Sequence, residues 1–325
     1  MAPEVLSLIV VNDGLKGPFT DANEASGDVS LERISRLLIK RGDFPAVPID
    51  FDYPCGAVTG WSQWVDYELR DEAVRERLSR AGVLSAVFIS SRCDSNRDVE
   101  TLCHVVRRWN PHTHTFVCAW GEFTPTLEDV FNITRLPITG TMDPFRFTLD
   151  KSCDEELKIL IAGASSVKGS SCHFANWAKH FWGVIKDGVL IPGKGFNSGC
   201  RLAAMLAFSL TKYVSIEFSY EFVDQRVYPM AVAIVTGHRF PLAPLFLGHL
   251  YCLLDFIVAD ELESVGQHGV TTLVSTMFLQ AFIWERFKCL EVKPLTSSSS
   301  LELYNNGILD KSVIYLPPKL PLLCR

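Results

Sequence analysis

The longest apolar stretch of the chain, Leu242–Ala259, limits what it can build. Its length approaches a membrane span, but Pro244, His249 and Asp255 lie inside it. A charge at mid-bilayer is costly. The stretch therefore reads as a buried core helix, and no membrane partner is expected.

The rest of the composition agrees with a packed fold. The chain has 325 residues, 48% of them hydrophobic and 21% charged, with a formal net charge of −6. That is enough apolar material for a core and too much for a disordered chain. An acidic balance argues against a protein that coats nucleic acid through its overall field. The N-terminal patch Val5–Val11 follows no basic residue and meets Asn12 and Asp13, so a short strand or buried turn is expected rather than a signal peptide. The 10 cysteines form no CxxC pair and several sit on apolar helical faces, as Cys103 and Cys252 do. Such thiols pack as small hydrophobes and suggest a reducing compartment.

Hydrophobic spacing predicts a mainly α protein, a multi-helix domain with one small β-hairpin near residues 114–126. Residues 1–60 are punctuated by Gly and Pro and carry one helix, Leu31–Arg41. A helical domain spans about 60–290, and 291–325 is a Ser-rich linker and Pro-rich tail. Within the domain a long helix is expected over Trp61–Arg80, burying Trp61, Trp64, Val65, Leu69 and Leu78. On its outer face Asp66–Arg70, Asp71–Arg75 and Glu76–Arg80 are spaced as ion pairs. A helix over 94–109 stops at Asn110-Pro111. His114–Cys118 and Glu122–Thr126 then read as the hairpin. Thr126 stands as N-cap, with Asp129 at the capping-box position, of a helix Leu127–Arg135 that buries Leu127, Val130 and Phe131 and ends at Pro137 and Gly140. Further helices are expected over Asp154–Ala162, Phe174–Lys186, Arg201–Tyr213, Val227–Thr236, Leu242–Glu263 and Thr272–Phe287.

Few residue patterns point to chemistry. His112 and His114 could share a strand face as metal ligands, but no Cys or carboxylate stands at a metal-motif spacing, and hydrogen-bonded turn histidines are the plainer reading. Cys172-His173 lacks a positioned base, since adjacent side chains point apart. Pro192–Gly199 is glycine-rich but fits neither phosphate-loop spacing, and reads as a flexible connection. Glu122, Glu128 and Asp129 could act as acid and base, although the latter two suit a first helical turn. Residues 70–108 hold eight arginines against six acids, a small excess for a phosphate-binding stripe. Arg92, Arg97, Arg107 and Arg108 are the local nucleic-acid candidates. No catalytic, cofactor-binding or metal-binding set emerges, and no cofactor is expected.

One segment resembles a known family. "RRWNPHTHTFVCAWGEFTPTLEDVFNITRLPITG", Arg107–Gly140, is similar to the signature of the plant mobile domain, also labelled aminotransferase-like plant mobile domain. The carrying residues are Trp109, Thr115, Phe116, Trp120, Gly121, Glu122, Thr126, Leu127, Asp129, Pro137 and Gly140. Upstream, "LSRAGVLSAVFISSRCDSNRDVETLCHVVRRW" looks like the lead-in helices. Downstream, "VYPMAVAIVTGHRFPLAPLFLGHLYCLLDFI" resembles the family's Gly…Leu-Ala-Pro segment, and "FLQAFIWERF", with Trp284, Glu285 and Arg286, a later helix. The matches cover about residues 60–290. Asn132, Thr134 and Arg135 replace a more apolar run, and neither 1–60 nor the tail after Leu290 finds a counterpart.

The resemblance implies a nuclear protein of transposon silencing, genome maintenance and meristem maintenance. It implies protein interaction, with a type-7-class protein phosphatase or other nuclear proteins as partners. It carries no catalytic residues over. The alternatives are a nucleic-acid-binding remnant of a transposon-derived protein and, disfavoured, an aminotransferase-like enzyme. A pyridoxal-phosphate site needs a lysine, a phosphate cradle and an acid together. Lys151, Lys158, Lys168, Lys179, Lys186, Lys194 and Lys212 show no such company. The nucleus is the expected compartment, with the cytoplasm as the alternative. A closed cavity gathering the motif's tryptophans, acids and histidines would argue for catalysis instead.

Overall fold

A computed structural model describes residues 47–51, 60–92, 97–118, 121–167, 173–214, 223–264 and 268–287. The Leu31–Arg41 helix, Trp120, Cys172 and the tail lie outside the described residues. In chain order come β1 (Ile49–Asp50), α1 (Trp61–Glu68), α2 (Glu72–Arg80), α3 (Leu84–Ser90) and α4 (Val99–Val106). Next are β2 (Trp109–Asn110), β3 (Thr115–Cys118), β4 (Gly121–Phe123), α5 (Leu127–Thr134) and α6 (Asp154–Val167). Then follow α7 (Phe174–Phe181), β5 (Gly183–Lys186), β6 (Val189–Pro192), α8 (Arg201–Tyr213) and α9 (Tyr228–Val235). The last are α10 (Leu242–Ser264), β7 (Val270–Thr271) and α11 (Thr276–Arg286). The protein is mainly α, with only short strands, as the periodicity predicts.

Several boundaries differ from the sequence reading, each for a local reason. The expected Trp61–Arg80 helix is two helices. Asp71 takes extended backbone and its carboxylate accepts the Ala73 N–H at 2.9 Å, starting α2 afresh. Arg75 turns back to donate to the Leu69 and Arg70 carbonyls at 2.8 and 3.0 Å, closing the end of α1. Of the expected pairs Glu76–Arg80 forms, at 3.0 Å, whereas Asp66 instead meets Arg92 at 2.5 Å.

The helix expected over 94–109 is shorter. Asp98 caps it, accepting from the Thr101 N–H at 3.0 Å, and Trp109 leaves it to pair with Phe116 across an antiparallel ladder. The hairpin is thus a three-stranded sheet, order β2-β3-β4. His114 lies in the preceding turn rather than the strand, with φ 52°. Helix α5 begins directly after Thr126 and ends at Thr134, with Arg135 in the left-handed region at φ 59°. Phe131, expected in the core, is exposed beneath the Arg135 guanidinium, 5.5 Å from its ring centroid.

Helix α7 stops at Phe181, short of the expected Lys186, and a second hairpin follows. Asp187-Gly188 turns it with φ 53° and 76°, the mirror-image turn that matches strand twist. At its root Gly183 (φ 133°) lies so close to the Ile191 carbonyl that a Cβ would collide with it. Helix α6 runs on to Val167, and α11 starts at Thr276 rather than Thr272, after β7 has paired parallel with β1.

The chain packs as two compact units that interleave along the sequence. One holds the described residues of Met1–Cys55, Asn96–Thr126 and Gly248–Val292. The other holds those of Gly56–Ser95, Leu127–Leu247 and Lys293–Arg325. The expected 60–290 body is therefore divided between both. In the first unit Phe116, Phe278 and Phe282 are fully buried, and Phe123 stacks on Phe282 at 6.0 Å. In the second, α8 is buried from Leu202 to Lys212 and forms the centre. Trp61 stacks on Phe208 at 4.5 Å, and Trp177 donates its indole N–H to the Ala204 carbonyl at 2.9 Å. Helix α10 has the length and composition to cross a membrane, with mean hydropathy 1.8. Leu250, Leu253, Leu254 and Ile257 are buried along it.

Candidate functional site

In the first unit the three-stranded sheet and α10 bring the motif's aromatic and charged residues together. Trp109 opens β2 because Asn110-Pro111 cannot continue a helix. It is 2% exposed, lies edge-on to Phe116 at 5.0 Å and donates its indole N–H to Asp255 Oδ1 at 2.7 Å. The Asn110 side-chain oxygen accepts the His112 N–H at 3.1 Å and its carbonyl accepts the His114 N–H at 2.8 Å, so the turn between the strands is fixed. The turn's left-handed last residue, His114, stacks on Tyr251 at 5.3 Å and places Nε2 3.3 Å from Asp255 Oδ2.

Hydroxyls brace this arrangement. Thr124 donates to the His114 carbonyl at 2.7 Å and lies 3.1 Å from the Tyr251 hydroxyl, which donates to the Pro125 carbonyl at 2.7 Å. Thr115 donates to Glu122 at 2.7 Å and lies 2.6 Å from the Thr113 hydroxyl. Asp255 thus serves two partners from adjacent elements. An imidazole oriented by a carboxylate is half of an acid–base apparatus. Here His114 and Asp255 have side chains 46% and 33% exposed, so they sit at the surface and not in a closed cavity. The nearby hydroxyls already donate to carbonyls and carboxylates. Among the described residues no group of three or more His, Cys, Asp or Glu could hold a metal.

The remaining motif residues take structural positions. Gly121 pairs with Cys118 in the sheet and Glu122 with Val117. Asp129 is buried in the first turn of α5. The Leu-Pro-x-x-Gly stop explains itself through the second unit: the Pro137 carbonyl accepts the Ala243 N–H at 2.9 Å, and the Arg239 carbonyl accepts the Thr141 and Met142 N–H groups at 2.9 and 3.1 Å. A Cβ on Gly140 would lie 2.6 Å from backbone atoms of Arg239, Phe240 and Pro241. Two signature segments far apart in sequence therefore pack backbone to backbone. Trp284, Glu285 and Arg286 close α11, with the Arg286 guanidinium 5.1 Å from the Phe282 ring centroid.

The nucleic-acid candidates are held by the protein itself. Arg92 pairs with Asp66; Arg97 donates to the Phe51 carbonyl at 2.8 Å. Arg107 donates to Glu261 at 2.7 Å and to the Val47 carbonyl at 2.5 Å. Arg108 sits at the turn after α4, where its carbonyl accepts the Val117 N–H at 2.9 Å. Cys200 packs against the Glu156 carbonyl at 3.6 Å, and burial, reinforced by Glu156 and Glu155, pushes its thiol up to about 11. Burial also raises Cys103, against the pull of Arg107.

Sequence reasoning missed one charged network. Glu68, 3% exposed, accepts the Trp64 indole N–H at 3.1 Å and both donor positions of the Arg201 fork, Nη2 at 3.2 Å. The guanidinium lies between the rings of Tyr67 and Phe196, 5.0 and 4.3 Å from their centroids, and donates to the Phe196 carbonyl at 3.2 Å. This pins the Pro192–Gly199 connection, whose composition alone reads as flexible. Its backbone is also bonded, Gly193 to Trp182 at 3.1 Å and Gly195 to His180 at 2.9 Å. The available signal was an acid four residues after a tryptophan on an apolar helical face.

A sequence model of the plant mobile domain matches residues 82–310. The match begins later than residue 60 and takes in residues after Leu290 for which the resemblance gives no counterpart. No curated protein and no solved structure matches the chain. The Trp109 sheet, α5, the Pro137–Gly140 stop and α11 all fall within the matched residues, and the chain belongs to the plant mobile domain family.

Proposed function

We propose that this transposon-derived domain acts as a non-enzymatic interaction protein in the nucleus, in transposon silencing, genome maintenance and meristem maintenance. One observation carries the reading: the motif's reactive-looking groups are engaged with one another, Trp109 and His114 with Asp255, and Thr115 with Glu122. Such bonding builds a rigid surface rather than a primed nucleophile. A type-7-class protein phosphatase is the partner class that the family resemblance suggests. Nucleic acid is the weaker reading, because Arg92, Arg97 and Arg107 already bond carboxylates and carbonyls. Affinity purification of the full chain from plant nuclei tests the proposal. Recovery of nuclear proteins, the phosphatase class among them, is the expected result; exclusive recovery of cytosolic metabolic enzymes overturns it.

A further inference from the structure

The hairpin β5–β6 concentrates exposed apolar surface in the second unit. Val184, Ile185, Val189 and Ile191 are 40%, 48%, 64% and 48% exposed. Among the described residues the sheet has two strands, and each keeps an edge without a sheet partner. An isolated two-stranded hairpin is marginal in water, and natural sheets protect such edges. This one is held ready instead. Its root is fixed by the close approach of Gly183 to Ile191 and by the Gly193 N–H donating to the Trp182 carbonyl at 3.1 Å. Its turn is the tight Asp187-Gly188 type.

Two features say what fits there. The cross-strand pairs Val184–Ile191 and Lys186–Val189 share one face, which is apolar with a cation at its end. Lys179, Lys186 and Lys194 are exposed around the hairpin, none of them in an ion pair within the described residues, and Asp187 is the sole acid between Lys179 and Lys194. Lys194 is near enough to His180 to join burial in lowering its pKa. Strand β6 ends in Pro192, which has no N–H, so β5 offers the more complete edge.

We propose that the outer edge of β5 docks an extended acidic–apolar peptide segment of a partner protein, which adds as a third strand. Its alternate apolar side chains pack beside Val184 and extend the apolar face that Val189 and Ile191 continue on β6, and its carboxylates meet Lys179, Lys186 and Lys194. The inference rests on the protein-interaction reading and names the chemistry of the partner. Because the strand is already ordered, little conformational entropy opposes docking.

Fluorescence anisotropy of the full chain tests it, with a labelled peptide of alternating glutamate and valine as the probe. The wild type is expected to bind this peptide about tenfold more tightly than its lysine–valine counterpart, and more weakly as salt rises. Methylating alternate backbone nitrogens of the peptide is expected to abolish binding, since strand addition needs those N–H groups. The Lys179→Glu, Lys186→Glu, Lys194→Glu triple variant and the Val184→Asp, Val189→Asp double variant, each checked for an unchanged melting temperature, should each lose about tenfold in affinity. Equal binding of the two peptides, indifference to methylation, or binding of oligouridine RNA or phosphatidylserine vesicles while the acidic peptide stays free would overturn the proposal. If nuclear partners still purify with the double variant, the hairpin proposal falls while the interaction reading stands.

Discussion

The indole N–H of Trp109 donates to the Asp255 carboxylate at 2.7 Å, joining residues 146 positions apart. The same carboxylate faces His114, so one acid holds both ends of the β2–β3 turn. Replacing Asp255 with Ala leaves a buried indole N–H without its acceptor and should cost about 1–3 kcal/mol. Asp255→Asn keeps an acceptor oxygen and should cost less. Urea denaturation followed by tryptophan fluorescence checks both; equal losses for the two variants would show that the hydrogen bond is not what matters.

The Glu68–Arg201 pair makes a sharper claim, because its carboxylate is almost fully buried. Arg201→Ala strands that charge and should cost about 3–5 kcal/mol, whereas replacing both partners with methionine should cost much less. Arg201→Lys should not rescue, since an ammonium cannot reproduce the fork between Tyr67 and Phe196. Thermal melts of the four proteins, wild type included, decide the order.

Gly140 tests why the family signature ends in glycine. Gly140→Ala forces a methyl group against the backbone of Arg239–Pro241 and should destabilise by about 1–3 kcal/mol. Gly188→Ala, with nothing within 4 Å of its Cβ, should lose only the strain of its left-handed backbone, φ 76°. Matching melts for Gly140→Ala and wild type would mean that the two segments do not pack closely.

The thiols give a pH prediction. Cys200 is pushed up to about 11, so iodoacetamide should leave it unlabelled through neutral and mildly alkaline pH while exposed Cys252 reacts. In the unfolded chain the same thiol ionises near the ordinary thiol value of 9.0. The folded state therefore binds the extra proton between those values, and the contribution is fully present below the lower one and lost as pH rises through the upper. Mass spectrometry of labelled protein against pH reads the first effect. Denaturant midpoints of wild type and Cys200→Ala at alkaline pH read the second, the variant losing less stability.

Local spacing specifies the mainly helical architecture, since three- and four-residue apolar periodicity acts within a single helix. It placed α8 at Arg201–Tyr213 to the residue. It also placed the strand–turn–helix signature and the Pro137–Gly140 stop, where steric and turn preferences act within a few residues. The β5–β6 hairpin was not expected, and α7 was carried on to Lys186, because a run of apolar residues suits helix and strand alike. Folding alone brought the Trp109 indole to Asp255, turned Asp66 to Arg92 rather than Arg70, and gave Arg107 both Glu261 and the Val47 carbonyl. Each is a contest between a near partner and a distant one of similar strength, and chain spacing carries no record of which distant group folding brings close.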